Sequence, residues 1–221
     1  MACRIGRRIC GAPSVSCCPS LVFVGLLWIG LASGQPTNVR DCQPCTFSPG
    51  AQLPLYQFSF DLNRDRIVTA IEVTRGSQFI QRLPVTGMAP VGTSEDFFFG
   101  GVDIDFDGLL DLMLIVRRGV ANAYAAYWLF DPQQGKFTAL GTYPVFRVDA
   151  GKRQLSTYER GGSAGLIHDS KIYVFLNRKL TVLREEKQEA TQQAGVFRKV
   201  VRQRVDGVMK VIHTEIVRAD R

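Results

Sequence analysis

Residues 196–217 read VFRKVVRQRVDGVMKVIHTEIV. Two runs rich in valine and isoleucine flank Asp206-Gly207, a dipeptide that suits the tight hairpin turn because both central residues of that turn need positive φ. Apolar and polar residues interleave in the second run, where Val208, Val211, Thr214 and Ile216 sit among Lys210, His213 and Glu215. Half-buried strands are patterned in this way.

Working outward, the same grammar recurs. KIYVFL (171–176) and KLTVLRE (179–185) are joined by Asn177-Arg178. YAAYWLF (124–130) and KFTAL (136–140) are joined by Asp131-Pro132-Gln133-Gln134-Gly135, where proline fixes the entry and glycine the exit. LYQFSF (55–60), IVTAIEV (67–73), QFIQRL (78–83) and LMLIVRR (112–118) complete the set. Sustained helical periodicity is lacking, and EEKQEATQQAG (185–195) alone suggests a helical turn or two. Strands joined by short turns without intervening helices predict an all-β fold of antiparallel hairpins, a compact sandwich or propeller-like domain.

The chain has 221 residues and is 46% hydrophobic, enough for one sizeable core. Its first 34 residues have the form of a secretory signal: Arg4, Arg7 and Arg8, the uncharged stretch Leu21–Ser33, then small residues ending at Gly34. That apolar stretch is shorter than the roughly 20 residues of a membrane-spanning helix. Gln35 stands where a lipid-bearing cysteine would be needed. The expected organisation is a signal peptide over 1–34, a lead over 35–52 and a single β domain over 53–218. Export follows from the signal, with an uncleaved membrane anchor as the other reading, and a processed chain would not be an integral membrane protein.

Removing the signal deletes three arginines and no acid, so 27 basic residues become 24 against 20 acidic ones, a net charge of about +4. That dispersed excess gives no case for nucleic acid. Four cysteines leave with the signal, and Cys42-Gln43-Pro44-Cys45 remains. In an oxidising compartment this pair is expected to close a small local disulfide. A redox role would need a βαβ context, and a zinc site two more ligands.

The chemistry concentrates in residues 99–116, FGGVDIDFDGLLDLMLIV. Asp103, Asp105 and Asp107 alternate, Gly108 follows, and Asp111 precedes the apolar run. This is the order of a calcium loop: side-chain oxygens at alternate residues, a glycine at the sharp turn, a main-chain carbonyl at Leu109, then a last acid. Carboxylates held this close repel one another, and a hard divalent cation relieves the repulsion. The spacing therefore predicts Ca2+ at Asp103, Asp105, Asp107, Leu109 and Asp111. Leu114 stands where an EF-hand has its bidentate glutamate, and a strand pattern follows in place of a helix. A solvated acidic turn and a set of catalytic carboxylates are the other readings. With no histidine nearby, the carboxylates do not point to an enzyme. Asp61-Leu62-Asn63-Arg64-Asp65-Arg66 echoes the loop but puts Arg66 at the glycine position, and reads as a polar turn.

Phe99-Gly100, the aspartate loop and the apolar strand together resemble one FG-GAP repeat, the calcium-loop unit of integrin-type propellers. Over most of the mature chain the likeness is to a different group. QFIQRLPV before the loop, AYWLFDPQQGKF after it, then Tyr158-Glu159-Arg160-Gly161-Gly162-Ser163 and IYVFLNRKLTVLREE resemble periplasmic bacterial proteins akin to invertebrate-type lysozyme inhibitors, which act as immunity proteins against secreted lysozyme-like effectors. The resemblance implies a compact antiparallel β fold with one structural calcium and loops that plug the cleft of a peptidoglycan-degrading enzyme. The family's loops present a serine, a tyrosine and a basic residue, for which Ser163, Tyr158 and Arg160 are the residues here. Where the inhibitors carry SGxxY, this chain has Ser163-Ala164-Gly165-Leu166-Ile167. The resemblance thus implies a binding protein and no enzyme. A calcium-stabilised adhesion or carbohydrate-binding module is the alternative that the FG-GAP likeness suggests. Trp128, beside Tyr124 and Tyr127, is expected in the core.

Overall fold

A computed structural model describes residues 37–38, 45–87 and 98–219. Within them the chain forms β1 (Thr37–Asn38), β2 (Cys45–Phe47), β3 (Tyr56–Leu62), β4 (Val68–Arg75), β5 (Gln78–Pro84), β6 (Phe98–Val102), β7 (Asp111–Arg118), β8 (Ala123–Asp131), β9 (Lys136–Pro144), β10 (Arg147–Asp149), β11 (Gln154–Arg160), β12 (His168–Leu176), β13 (Lys179–Ala190), β14 (Val196–Val205) and β15 (Val208–Arg218). They build three antiparallel sheets, ordered β2-β3-β4-β5, β1-β6-β7-β8-β9 and β10-β11-β12-β13-β14-β15. The all-β expectation holds. Apart from β1, each sheet is a meander in chain order, so almost every ladder closes through a local turn.

Those turns behave as their residues require. Asn177 and Arg178 carry φ of 50° and 61°, and Asp206 and Gly207 carry 52° and 79°, as hairpin turns of two central residues demand. Asp131 accepts the N–H groups of Gln133 (2.9 Å) and Gln134 (3.3 Å) at its Oδ1. Asn63 Oδ1 accepts from Asp65 and Ile67, each at 2.9 Å, so the upstream echo of the aspartate loop is indeed a capped turn between strands.

The core is aromatic. Phe58 stacks on Phe47 at 4.7 Å, and Phe60 and Phe99 meet edge to face at 5.1 Å. Tyr56 meets Phe130 and Phe137 edge-on, each at 5.8 Å. Trp128 is buried, as expected, and so is Tyr127, whose ring meets Phe146 at 4.8 Å. β7 is buried on both faces through Val116, which explains its unbroken apolar run. One seam between sheets is tied by a side chain that imitates a peptide group. Gln81 on β5 donates from Nε2 to the carbonyl of Phe137 on β9 (2.8 Å) and accepts its N–H at Oε1 (2.7 Å).

Two segments depart from the sequence reading. Residues 185–190 are strand, not helix, and only 191–195 turn. Partners far along the chain override their helix-prone composition: Arg202 lies 2.8 Å from Glu185 and Lys199 3.3 Å from Glu186 on the neighbouring strand, and buried Gln188 donates to the carbonyl of Leu166 at 2.7 Å. Tyr158 and Arg160, which the resemblance places in a docking loop, stand on a strand. Gln154–Arg160 pairs with β12, with Leu155 and Thr157 buried, and only 161–167 connect the strands. The stretch expected as a lead supplies β1 and β2. Cys45 is buried at the start of β2, and Cys42 lies outside the described residues.

Candidate metal centre and docking loop

The aspartate loop spans the gap between β6 and β7, whose last rung pairs Val102 with Asp111. Ile104 is fully buried and Leu110 nearly so, and the Leu110 N–H bonds the carbonyl of Pro49 at 2.7 Å. With these two apolar residues turned inward, Asp103 and Asp105 fall on the side facing Asp111. One oxygen from each of the three lies within 4.8 Å of the others. The turn itself needs positive φ at Phe106 (63°) and Gly108 (88°), and glycine takes the second without strain.

Asp111 is the anchor. It is 1% exposed, and its two oxygens accept the N–H groups of Ile104 (3.0 Å) and Phe130 (2.8 Å). These bonds leave lone pairs on both oxygens free to reach a cation. Burial pushes its carboxyl up to about 8 despite those two donors. Burial, reinforced by the charge of Asp107, pushes Asp105 up to about 6, and burial also raises Asp103. Asp103 Oδ1 is buried without a hydrogen-bond partner, while its Oδ2 accepts from Gly108 N–H at 3.1 Å. A crowded, partly dehydrated set of carboxylates with one orphaned oxygen is suited to a hard cation with oxygen ligands.

Not every expected ligand joins the set. Asp107 is exposed, outside the converging trio, and its Oδ1 takes the Leu109 N–H at 2.8 Å. It shapes the turn from which Leu109 proceeds. Arg153, from the β10–β11 hairpin, donates to the carbonyl of Phe106 at 2.7 Å and so braces the loop from the third sheet.

The second feature lies beyond β11. Tyr158 and Arg160 project from one face of that strand, and both are exposed. Tyr158 stacks on His168 of β12 at 5.4 Å with 27° between the rings. Three successive residues, Ser163, Ala164 and Gly165, hold positive φ of 56°, 53° and 94°. Gly161 donates to Ile167 (2.7 Å), Ile167 and Gly165 donate to Gly162 (3.3 and 3.2 Å), and Leu166 donates to Ser163 (3.0 Å). A Cβ on Gly161 would come within 2.7 Å of Ile167 Cγ2, so only glycine fits there. At the base, Asn122 grips both main-chain groups of Arg160: its Nδ2 donates to the carbonyl and its Oδ1 accepts the N–H, each at 2.8 Å. Ser163 stands exposed at the turn. A pocket of about 280 Å³ adjoins the two ends of the loop, Gly161 and Ile167, and is lined also by Asn122, Arg160, His168 and Lys187.

The sequence pointed to Tyr158, Arg160 and Ser163 but missed Asn122, which lies 38 positions from its partner and carries no motif. It also missed Glu159, which accepts a hydrogen bond from the Tyr124 hydroxyl while the Arg117 guanidinium sits 3.8 Å over the Tyr124 ring. That contact joins the second and third sheets beside the loop.

No family model and no curated protein matches the chain. Among solved structures it is similar to a Xanthomonas type IV secretion system related protein, with a TM-score of 0.50 and 14% identity, over 82% of this chain and 98% of that one. At that identity the likeness concerns the fold.

Proposed function

We propose that this is an exported calcium-binding protein that blocks a lysozyme-like peptidoglycan hydrolase. The observation that carries the reading is the preset shape of residues 161–167, gripped at its base by Asn122 and flanked by exposed Tyr158 and Arg160. A loop already ordered before binding loses little entropy on docking, which favours inhibition of an enzyme cleft. Arg160 supplies a guanidinium that pairs with a catalytic carboxylate through charge-assisted, bidentate hydrogen bonds. Tyr158 adds rigid apolar area with a hydroxyl at its tip, and Ser163 a hydroxyl at the turn.

Calcium is the cation that the loop chemistry favours. Asp103, Asp105 and Asp111 would hold it, with flexible geometry that suits calcium better than magnesium. Its contribution would be structural, neutralising the loop and fixing the entry to β7. The resemblance to inhibitor-type immunity proteins and the signal-like N-terminus support the exported setting, and Cys42–Cys45 would be a disulfide there.

The test is a cell-wall lysis assay with the processed protein against a panel of lysozyme-type enzymes, in calcium and in chelator. Stoichiometric inhibition that Arg160→Ala abolishes supports the reading. Full lytic activity of every enzyme at high inhibitor excess refutes it.

A further inference from the structure

β15 is the outer strand of the six-stranded sheet, and among the described residues it is hydrogen-bonded to β14 alone. It is long for an edge, eleven residues, and it presents Val208, Val211, Ile212 and Ile216 at 49–60% exposure. Natural sheets usually blunt such an edge with charge, proline or brevity, because its unpaired main-chain groups invite another strand.

The register of β15 shows which strand fits. Opposite β14, Lys210 pairs with Gln203, His213 with Val201 and Glu215 with Lys199, while Ile212 is an extra residue at a β-bulge. Residues five apart in a regular strand face opposite sides, but the bulge restores parity. Lys210 and Glu215 therefore share one face, each two rungs from His213. We infer that β15 pairs antiparallel with β15 of a second copy of this chain, about a two-fold axis at His213.

In that register the charged and apolar rungs match. Lys210 meets Glu215 of the second copy and Glu215 meets its Lys210. Val211 meets Thr214, Met209 meets Ile216, Val208 meets Val217, and His213 meets itself on the axis. Such a closed two-fold contact uses one patch on both copies. It continues the third sheet across the dimer and leaves the aspartate loop and residues 161–167 on other elements. The inference is independent of the inhibitor reading.

Single cysteines read the register directly. Facing residues of an antiparallel pair have Cα atoms about 4.5–5.5 Å apart, within the range that a disulfide spans. His213→Cys should cross-link to itself under mild oxidation, whereas Ile216→Cys, which faces Met209, should not. In sedimentation, the wild-type protein should dimerise with rising concentration. Lys210→Glu should weaken association by about tenfold, since two cross-strand pairs turn repulsive. Lys210→Glu with Glu215→Lys should restore it. A monomer at every concentration, equal cross-linking of both cysteine variants, a dimer indifferent to Lys210→Glu, or capture of a foreign strand by a chain that never self-associates would each overturn the inference.

Discussion

The β6–β7 loop and the β11–β12 loop solve one problem in opposite ways. Both turn between antiparallel strands through residues of positive φ, two in the first and three in the second. In the first, the shape brings like charges together and leaves Asp103 Oδ1 without a partner. In the second, neutral hydrogen bonds close the turn on itself and Asn122 ties it to the second sheet. The first loop concentrates charge that a cation would neutralise, whereas the second is held by its own hydrogen bonds.

The largest expected effect tests the anchor of the first loop. Asp111→Ala strands the buried N–H groups of Ile104 and Phe130 and should cost about 3 kcal/mol in chemical denaturation. It should also abolish any calcium-dependent rise in melting temperature. Survival of that rise would place the cation elsewhere.

Next comes the ion itself. If calcium fills the site at one hundred times its dissociation constant, it should add about 2.7 kcal/mol over the chelated protein. Asp103→Asn and Asp105→Asn should each shrink that gain while leaving the chelated protein at least as stable, because each removes one crowding charge. Matching melting curves with and without calcium would show that the aspartate loop holds no cation.

The same contrast has a pH signature. In chelator, the folded carboxyls of Asp105 and Asp111 titrate near 6 and 8, above their ordinary value of 3.8. The folded chain thus keeps protons that the unfolded chain has lost. Their stabilisation is complete below about pH 4 and is lost as pH rises through about 6 and then 8. Calcium competes with those protons, so the stabilisation it adds should grow over the same window. Melting temperatures recorded across this range with and without calcium check both slopes, and parallel slopes would refute the coupling.

Smaller effects belong to the second loop. Asn122→Ala should cost about 1–2 kcal/mol and reduce inhibition, since the main-chain groups of Arg160 lose their clamp. Arg160→Ala, at an exposed side chain, should stay within about 0.5 kcal/mol of wild type while inhibition falls. Equal losses of stability and inhibition at Arg160 would mean that the residue is scaffold.

These loops also show how far the sequence could be read. Alternation and turn residues located the long strands, because β-branched residues and dipeptides such as Asp206-Gly207 act locally. Aspartate spacing located Asp103, Asp105 and Asp111, but it could not tell that Asp107 spends an oxygen on Leu109 N–H. β11 was hidden because only Leu155 and Thr157 are buried in it, and a glycine-rich turn follows. Residues 185–190 carry helix-forming side chains whose partners, Arg202 and Lys199, sit on a neighbouring strand. Asn122 was invisible for the same reason: its role is set by a residue far along the chain.

The Gln81–Phe137 contact has a consequence for how the molecule opens. A side-chain amide that gives and takes like a backbone unit makes the first and second sheets share one rung. Sheets joined in this manner should come apart together instead of fraying one at a time. Amide exchange at Phe137 would then report the opening of the whole seam, and Gln81→Leu would turn that slow proton into a fast one.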